Sequence, residues 1–324
     1  MKFRTEIQPL NHRGLIDHST PIMLLGSCFT TEVGERMQRD LFYVSINPFG
    51  TLYNPESIAA AISRIAERRL FQSDDIFEHS GSFHTFHSHS SLSRESVSAT
   101  LSHHNDTLLS AYDFLKQSRF LIITLGTAWV FRLKSTGSVV ANCHKLPANM
   151  FLRSRLSVDE ATTSLSTAID TARSVNPDIR IIVTVSPIRH AADGLHGNQI
   201  SKSTLLLAAE QTADHYGCDH VIYFPSYEAL IDDLRDYRFY AADMRHPSET
   251  AVDYVYEKFG ESFFSPSTIA LADECRALTR RLSHRTMSAS GREKETAVRL
   301  NLIEQFKTAH PELLHNIQCL CHTL

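Results

Sequence analysis

Two short segments far apart in the chain carry residue types that could form one nucleophilic site. The first contains Ser27 and Cys28, and the second contains Asp243 and His246. A thiol or hydroxyl attacks a carbonyl when an imidazole takes its proton, and a carboxylate holds that imidazole in the required tautomer. Asp243 and His246 are three residues apart, so one tight loop or helical turn can orient both. These residues predict a hydrolytic site in which Cys28 or Ser27 is the nucleophile.

The first segment lies between an apolar run and a helical pattern. Residues 21–25 read Pro-Ile-Met-Leu-Leu, which is typical of a buried strand, and residues 30–37 are typical of a helix. Gly26 lets the chain bend between them, and the N-terminal end of a helix favours a thiolate or a developing oxyanion. We therefore expect the nucleophile at a strand-to-helix turn.

Further apolar runs alternate with helical patterns and predict the fold class. The apolar runs span 21–25, 120–125, 181–185 and 221–224, and the helical patterns span 55–69, 106–117, 157–175 and 199–216. This alternation predicts an α/β fold with a mostly parallel sheet and helices on both of its faces. Ligand groups collect at the carboxyl ends of such strands, where Gly126, Arg189 and the segment 225–228 also fall.

Composition argues against several classes of partner. The chain has 324 residues, 32 of them basic and 36 acidic, for a net charge of −4, which offers no support for binding nucleic acid or an anionic membrane. No run approaches the roughly 20 apolar residues of a membrane span, and the N-terminus lacks a secretory signal. We expect a cytoplasmic protein whose six scattered cysteines are reduced. The sequence implies no cofactor.

Residues 72–105 differ in texture and are rich in Ser, His and Asp. They predict a long excursion over the sheet edge or the site, with most of its histidines at the surface. A zinc site built on His84, His87 and His89 remains an alternative, although the sequence offers no clear fourth ligand.

The character of the chain changes again after residue 265. A helical pattern over 268–284, a Ser/Gly break and a second pattern near 294–308 predict a helical C-terminal annex, so we divide the chain into domains 1–265 and 266–324. The terminal residues 319–322, Cys-Leu-Cys-His, lack a matching second pair of ligands, and we assign no metal to them.

Several ordered motifs resemble those of the GSCFA family, which is related to the SGNH, or GDSL-like, hydrolases. Residues 26–30 read Gly-Ser-Cys-Phe-Thr, and further similarity lies in segments 47–55, 124–129, 141–145, 184–189 and 243–247. The resemblance covers about the first 260 residues. It implies a flavodoxin-like three-layer α/β/α fold and hydrolysis of an ester or related acyl group.

The resemblance also implies roles for particular residues. In the Gly-Asp-Ser turn of SGNH enzymes, the last residue is the nucleophile, and Cys28 matches it in register. Ser27 remains the rival if the turn is shifted by one residue. Gly50 matches a glycine whose N–H group faces the oxyanion, and Asp243 and His246 match the Asp-x-x-His block.

The third block departs from the SGNH pattern. SGNH enzymes place an oxyanion-binding Asn in a Gly-x-Asn segment, whereas the segment starting at Gly126 has Ala128 at that place. Losing one such donor costs ~3 kcal/mol of transition-state stabilisation, so a substitute is required. The candidates from sequence are Asn47, Asn142 and His144.

Basic residues and the missing Asn leave two functional hypotheses. His144, Lys145 and Arg189 favour an acidic or phosphorylated acyl substrate, small molecule or glycan, for a hydrolase or acyltransferase. The alternative is a non-catalytic protein that kept the fold and binds a glycan or an acylated ligand. The sequence does not determine the oligomeric state.

Overall fold

The computed structural model describes residues 4–283 and 289–321. The strands are β1 (Ile22–Gly26), β2 (Val44–Ile46), β3 (Phe77–His79), β4 (Ser82–His84), β5 (Phe120–Leu125), β6 (Trp129–Leu133), β7 (Val139–Val140), β8 (Phe151–Arg155), β9 (Arg180–Val185) and β10 (Val221–Phe224). The helices are α1 (Cys28–Arg39), α2 (Pro55–Ala66), α3 (Val97–Gln117), α4 (Val158–Val175), α5 (Gly194–Tyr216), α6 (Ser226–Glu228), α7 (Glu249–Phe263), α8 (Pro266–Ser283), α9 (Ala289–Ala309) and α10 (Leu314–Cys321).

A parallel five-stranded sheet forms the centre of the molecule. Its strands lie in the order β10-β9-β5-β1-β2, and each neighbouring pair is parallel. Numbered by its own strands, the sheet has the order 2-1-3-4-5 that is typical of flavodoxin-like folds. The predicted α/β class is confirmed, and the four apolar runs are its four longest strands. The sequence missed β2, which is only three residues long and half-buried.

Helices cover both faces of this sheet. Successive side chains of a strand point to opposite faces, so Met23 and Leu25 pack in one core with α2, α3, α4 and α5. Ile22 and Leu24 pack in a second core with α1, α7 and α8. Burial on both faces explains why the central strands are continuous apolar runs rather than alternating ones.

The excursion at 72–105 includes regular secondary structure. It contains the antiparallel hairpin β3–β4 and the first turns of α3, which starts at Val97, capped by Ser96, rather than near 106. The prediction of surface histidines is wrong here, because His104 is buried and the others are half-buried. A second small sheet, with the order β7-β6-β8, follows β5.

The C-terminal helices pack against α1 and the chain segment that follows it. Leu41 joins Cys275, Leu278 and Leu282 of α8 in a small apolar cluster. The proposed boundary at 265/266 falls between α7 and α8. No helix within residues 4–283 and 289–321 combines the length and apolar character needed to cross a membrane.

Candidate active site

The turn between β1 and α1 is one that only glycine can make. Gly26 has φ +150°, and a Cβ atom at this position would lie 2.2 Å from the Thr124 carbonyl oxygen. The Gly26 N–H donates to Asn47 Oδ1 over 2.9 Å, which ties the end of β1 to the chain after β2. Helix α1 then starts at Cys28, with Ser27 as its N-cap residue. The predicted strand-to-helix turn is therefore present.

The turn presents Cys28, and not Ser27, to an open cleft. Ser27 is 1% exposed, and its Oγ atom has no hydrogen-bond partner. The Ser27 Cβ atom lies close to Gly126, because a Cβ atom added to Gly126 would be only 3.2 Å from it. Cys28 is partly exposed and lines a cleft of about 530 Å³. The alternative nucleophile Ser27 does not reach the cleft, because its side chain is buried beneath the turn.

Cys28 and His246 line this cleft, and Asp243 lies behind His246. His246 Nε2 is 3.9 Å from Cys28 Sγ, and His246 Nδ1 is 2.6 Å from Asp243 Oδ2. The other carboxylate oxygen, Oδ1, accepts the N–H groups of Arg245 and His246 over 2.9 and 3.0 Å. The loop bearing these residues leads into α7, whose N-cap is Ser248. Side chains from the two ends of the sequence are thus joined by consecutive contacts.

The electrostatics of the three residues favour a neutral thiol at rest. Burial raises the pKa of the Cys28 thiol, and the N–H groups of Cys28 and Phe29 lower it by less. Helix α1 therefore does not by itself produce the thiolate that the sequence favoured. The hydrogen bond to His246 holds the pKa of the Asp243 carboxyl far below its usual range, so that this group is ionised. An ionised Asp243 can fix His246 with Nε2 directed at the thiol.

A buried lysine that the sequence did not reveal lies under the site. Lys202 of α5 is 0% exposed, and its Nζ donates to the carbonyl oxygens of Gly126 and Ser186, each over 2.6 Å. It thereby joins the ends of β5 and β9. Burial lowers its pKa to about 7. A lysine within a helical pattern is ordinarily a solvent-facing residue, so no sequence signal could have identified it.

The cleft wall nearest the turn is the segment Leu52–Asn54. The Leu52 N–H donates to the Gly26 carbonyl over 2.8 Å, and the Tyr53 carbonyl accepts the N–H groups of Gly126 and Thr127 over 2.8 and 2.9 Å. These bonds hold the segment between the carboxyl ends of β1 and β5. Tyr53 and Asn54 both line the cleft with Cys28.

Three arginines and the aromatic side chains of Trp129 and Phe131 line the cleft. Arg153 stacks on Trp129 at 4.0 Å and pairs with Asp193, and Arg189 lies over the Tyr240 ring at 4.4 Å. The cleft is also lined by His190 and Arg245. The prediction that Arg189 lies at a strand end beside the site agrees with its position here.

Two of the predicted oxyanion groups are used within the protein. The Gly50 N–H donates to the Asn47 carbonyl over 2.7 Å, so it is not free to face a substrate. Asn47 accepts the Gly26 N–H and donates from Nδ2 to Thr31 Oγ1 over 3.0 Å. Both predictions are corrected by these bonds, which hold the nucleophile turn instead. Gly126 is similarly engaged, since its N–H bonds to Tyr53 and its carbonyl to Lys202.

The loop after β7 carries two predicted residues: Asn142 lines the cleft, and His144 is buried. His144 is 5% exposed, and its Nε2 bonds to the Thr85 carbonyl over 2.8 Å, which corrects its assignment to the substrate. Burial lowers the pKa of His144 to about 4. Asn142 lines the cleft, and its Oδ1 accepts the His144 N–H over 2.7 Å.

The histidines of the excursion do not form the alternative zinc site. His84 Nδ1 bonds to Ser93 Oγ over 2.5 Å and its Nε2 to the His79 carbonyl over 3.1 Å, so neither nitrogen is left for a metal. Among the residues that the structure describes, no group of three or more His, Cys, Asp or Glu side chains could hold a metal ion. His322 of the C-terminal cluster lies outside the described residues, as do the side chains of Cys319 and Cys321.

Comparison with known proteins gives one family match and several distant structural similarities. The model of the GSCFA family matches residues 21–259. No curated protein matches the chain. Among solved structures, a carbohydrate esterase family 3 from Talaromyces cellulolyticus shares 11% identity, with 79% of this chain and 99% of that chain covered and a TM-score of 0.36. An acetyl esterase mutant with acetate ion shares 12%, with the same coverage and a TM-score of 0.38. An acetyl xylan esterase from the rumen bacterium Butyrivibrio proteoclasticus shares 12%, covering 79% of this chain and 64% of that chain, with a TM-score of 0.37.

Proposed function

The chain belongs to the GSCFA family, and from that premise we propose that it is an SGNH-type acyl hydrolase with Cys28 as its nucleophile. The observation that carries the proposal is the path from Cys28 Sγ through His246 to Asp243, with contacts of 3.9 and 2.6 Å at the edge of a cleft. Nucleophile, base and orienting carboxylate in this order are the parts that acyl transfer requires. The strand order of the central sheet supports the SGNH assignment.

The reaction begins with a proton transfer. His246 Nε2 takes the proton of the Cys28 thiol while Sγ attacks the carbonyl carbon of the ester, forming a C–S bond and an oxyanion. The N–H groups of Cys28 and Phe29 lie in the first turn of α1, where no intrahelical acceptor exists for them. They can therefore donate to the oxyanion.

Collapse of this intermediate expels the alcohol, which receives the proton from His246 Nε2, and leaves a thioester on Cys28. A water molecule then gives a proton to His246 and attacks the thioester, releasing the carboxylic acid and restoring the thiol. Asp243 stays ionised throughout and stabilises the imidazolium of His246.

The charges of the cleft favour a substrate with negative charge in its acyl or alcohol part. Arg153, Arg189 and Arg245 line the cleft together with one carboxylate, that of Asp193, which pairs with Arg153. Guanidinium groups bind carboxylate and phosphate oxygens with two parallel hydrogen bonds. Trp129 and Phe131 provide apolar surface beside them.

The test is the rate of iodoacetamide alkylation at Cys28 against pH, with the labelled peptide located by mass, in wild type, His246→Ala and Ser27→Ala. At pH 7 the wild-type rate should exceed that of His246→Ala by about 10²-fold, since the thiol depends on its base. At high pH, where solvent ionises the thiol, the two rates should converge. Ser27→Ala removes a hydroxyl without a partner and should alkylate like wild type.

Equal rates at pH 7 in wild type and His246→Ala would contradict the proposal. That outcome would favour the alternative hypothesis, a protein of this fold that binds a glycan or an acylated ligand without turning it over.

A further inference from the structure

The site lacks a side-chain donor where SGNH enzymes place their third-block Asn. Ala128 stands there; it is fully buried, and its N–H donates to Ser201 Oγ over 2.8 Å. Of the three sequence-based substitutes, Asn47 and His144 are used elsewhere in the fold. Asn142 lines the cleft from the loop after β7, and its Oδ1 accepts the His144 N–H. The end of β5 therefore supplies no amide to an oxyanion at Cys28.

Asn54 lines the cleft from the segment between β2 and α2. Its segment is held by the bond from the Leu52 N–H to the Gly26 carbonyl and by the bonds of the Tyr53 carbonyl to the chain after β5. Gly26 is two residues before Cys28. These bonds set Asn54 beside the nucleophile turn, and both Asn54 and Cys28 line the cleft.

The orientation of the Asn54 amide follows from its role as a helix cap. Asn54 is the N-cap residue of α2, and its Oδ1 accepts the Ser57 N–H over 2.8 Å. With Oδ1 committed to the helix, Nδ2 is the polar atom of this side chain that is left for the cleft. Asn54 is 6% exposed, and its Nδ2 has no hydrogen-bond partner within the described part of the chain. A capping amide is held in one rotamer, so its donor is already oriented before a substrate binds.

We propose that the Asn54 side-chain amide binds the oxyanion formed on attack by Cys28, in place of the absent third-block Asn. This inference rests on the acyl transfer proposed above. When Sγ bonds to the carbonyl carbon, the carbonyl oxygen takes up the electron pair of its π bond, and Nδ2–H donates a hydrogen bond to it. No proton is transferred by Asn54, and the hydrogen bond weakens again when the C=O bond re-forms and the alcohol leaves.

The experiment compares two reactions of the same thiol in the full chain. Acylation of Cys28 by p-nitrophenyl acetate, followed by release of p-nitrophenolate, passes through an oxyanion. Alkylation by iodoacetamide displaces iodide at a saturated carbon and forms none. A group that only positions or ionises Cys28 affects both rates, whereas an oxyanion donor affects acylation alone.

The informative variants are Asn54→Ser and Asn54→Asp. Serine and aspartate both accept the Ser57 N–H as good N-caps, so α2 keeps its cap while the amide donor is removed. Acylation should fall about 10²-fold in Asn54→Ser and further in Asn54→Asp, where a carboxylate repels the oxyanion. Alkylation by iodoacetamide and the melting temperature of Asn54→Ser should match wild type. Ser157→Ala, which weakens the cap of α4 outside the cleft, is the control and should change neither rate.

The outcomes separate this inference from the proposed function. Rapid wild-type acylation that survives in Asn54→Ser would overturn the inference and leave the acyl hydrolase intact. A parallel fall of acylation and alkylation in Asn54→Ser would also overturn it, because Asn54 would then act on the thiol itself. Wild-type acylation no faster than that of a free thiol would overturn the proposed function, and the inference with it.

Discussion

The candidate active site and the histidine-rich region use the same residue types in opposite ways. In the histidine-rich region, defined here as residues 72–105 together with His144, His104 bonds through Nδ1 to the Thr100 carbonyl and through Nε2 to Ser88 Oγ. His84 likewise uses both nitrogens within the protein. At the active site, His246 has one nitrogen on a carboxylate and the other facing a thiol at an open cleft. His144 also has one unpaired nitrogen, Nδ1, but that atom is buried, whereas the second nitrogen of His246 faces a thiol at an open cleft.

The backbone of the active site also differs from that of the histidine-rich region. The active site stands at a helix N-terminus and at strand ends, where some N–H groups have no partner in regular structure. The histidine-rich region closes on itself through the hairpin β3–β4 and its contact with the loop of His144. Substitutions in the first region should therefore alter the rate of acylation, and those in the second should alter stability.

The largest effect on acylation is expected from Asp243→Asn. An amide at this position can donate to His246 Nδ1, which stabilises the wrong tautomer and removes the charge that supports the imidazolium. Acylation of Cys28 by p-nitrophenyl acetate should fall by about 10³–10⁴-fold. Stopped-flow release of p-nitrophenolate measures this rate.

Asp236→Asn is the matched control for this substitution. Asp236 also accepts a backbone N–H, from Arg238 over 2.9 Å, but its carboxylate pairs with the Arg238 side chain rather than with a histidine. Its variant should acylate like wild type. If Asp243→Asn did the same, the difference between the two regions would not lie in the orientation of His246.

An intermediate effect is expected from Lys202→Met, which removes the buried ammonium beneath the site. The carbonyls of Gly126 and Ser186 lose their donor, so the free energy of unfolding should fall by about 3 kcal/mol. The strand ends that carry the site should shift, lowering acylation about tenfold. Denaturant unfolding and the acylation assay test both statements, and the exposed Lys116→Met is the control.

The pH dependence of this variant gives a second test. The pKa of Lys202 is about 7 in the folded protein and near 10.5 without burial. The unfolded state therefore holds more protons between these values, and wild-type stability should rise with pH across that window. Lys202→Met should lack this contribution, and an identical pH dependence in both proteins would contradict the buried site for Lys202.

The smallest effect on acylation is expected from His144→Gln, whose amide can still donate to the Thr85 carbonyl. Acylation should be unchanged. The pKa of His144 is about 4 when folded and 6.5 without burial, so the unfolded state binds more protons between these values. Wild-type stability is therefore lost as the pH falls from 6.5 towards 4.

His144→Gln should lower the slope of the unfolding free energy against pH by up to one bound proton, which is about 1.4 kcal/mol per pH unit. Urea titrations at several pH values between 4 and 7 measure the slope. A fall in acylation with an unchanged acid slope would reverse the assignment and place His144 in the chemistry.

Much of the fold could be predicted because its signals are local. The central strands are apolar runs buried on both faces, and α4 starts where Ser157 and Glu160 form a capping box. The short β2 and the early start of α3 escaped prediction, since pairing with β1 and packing on the sheet stabilise them rather than their own residue pattern.

The site could likewise be predicted only where its signals are local. Asp243 and His246 were predicted from their three-residue spacing, and Cys28 from its register with the Gly-Asp-Ser turn that the resemblance implies. The oxyanion groups were not found in this way. Gly50 and Asn47 bond to the chain nearby, and Asn54 was hidden as an ordinary helix cap before Pro55.

Apolar periodicity, caps and short spacings are properties of neighbouring residues, so the sequence predicted the four longest strands of the central sheet, most of the helices and the residues that could exchange a proton. Which polar atoms remain free to react depends on how distant segments pack. Lys202 and His144 bond to backbone carbonyls in the interior, while His246 and Asn54 line the cleft. The physical reason is that a hydrogen-bond partner is supplied by distant segments, so its presence is known only once the chain has folded.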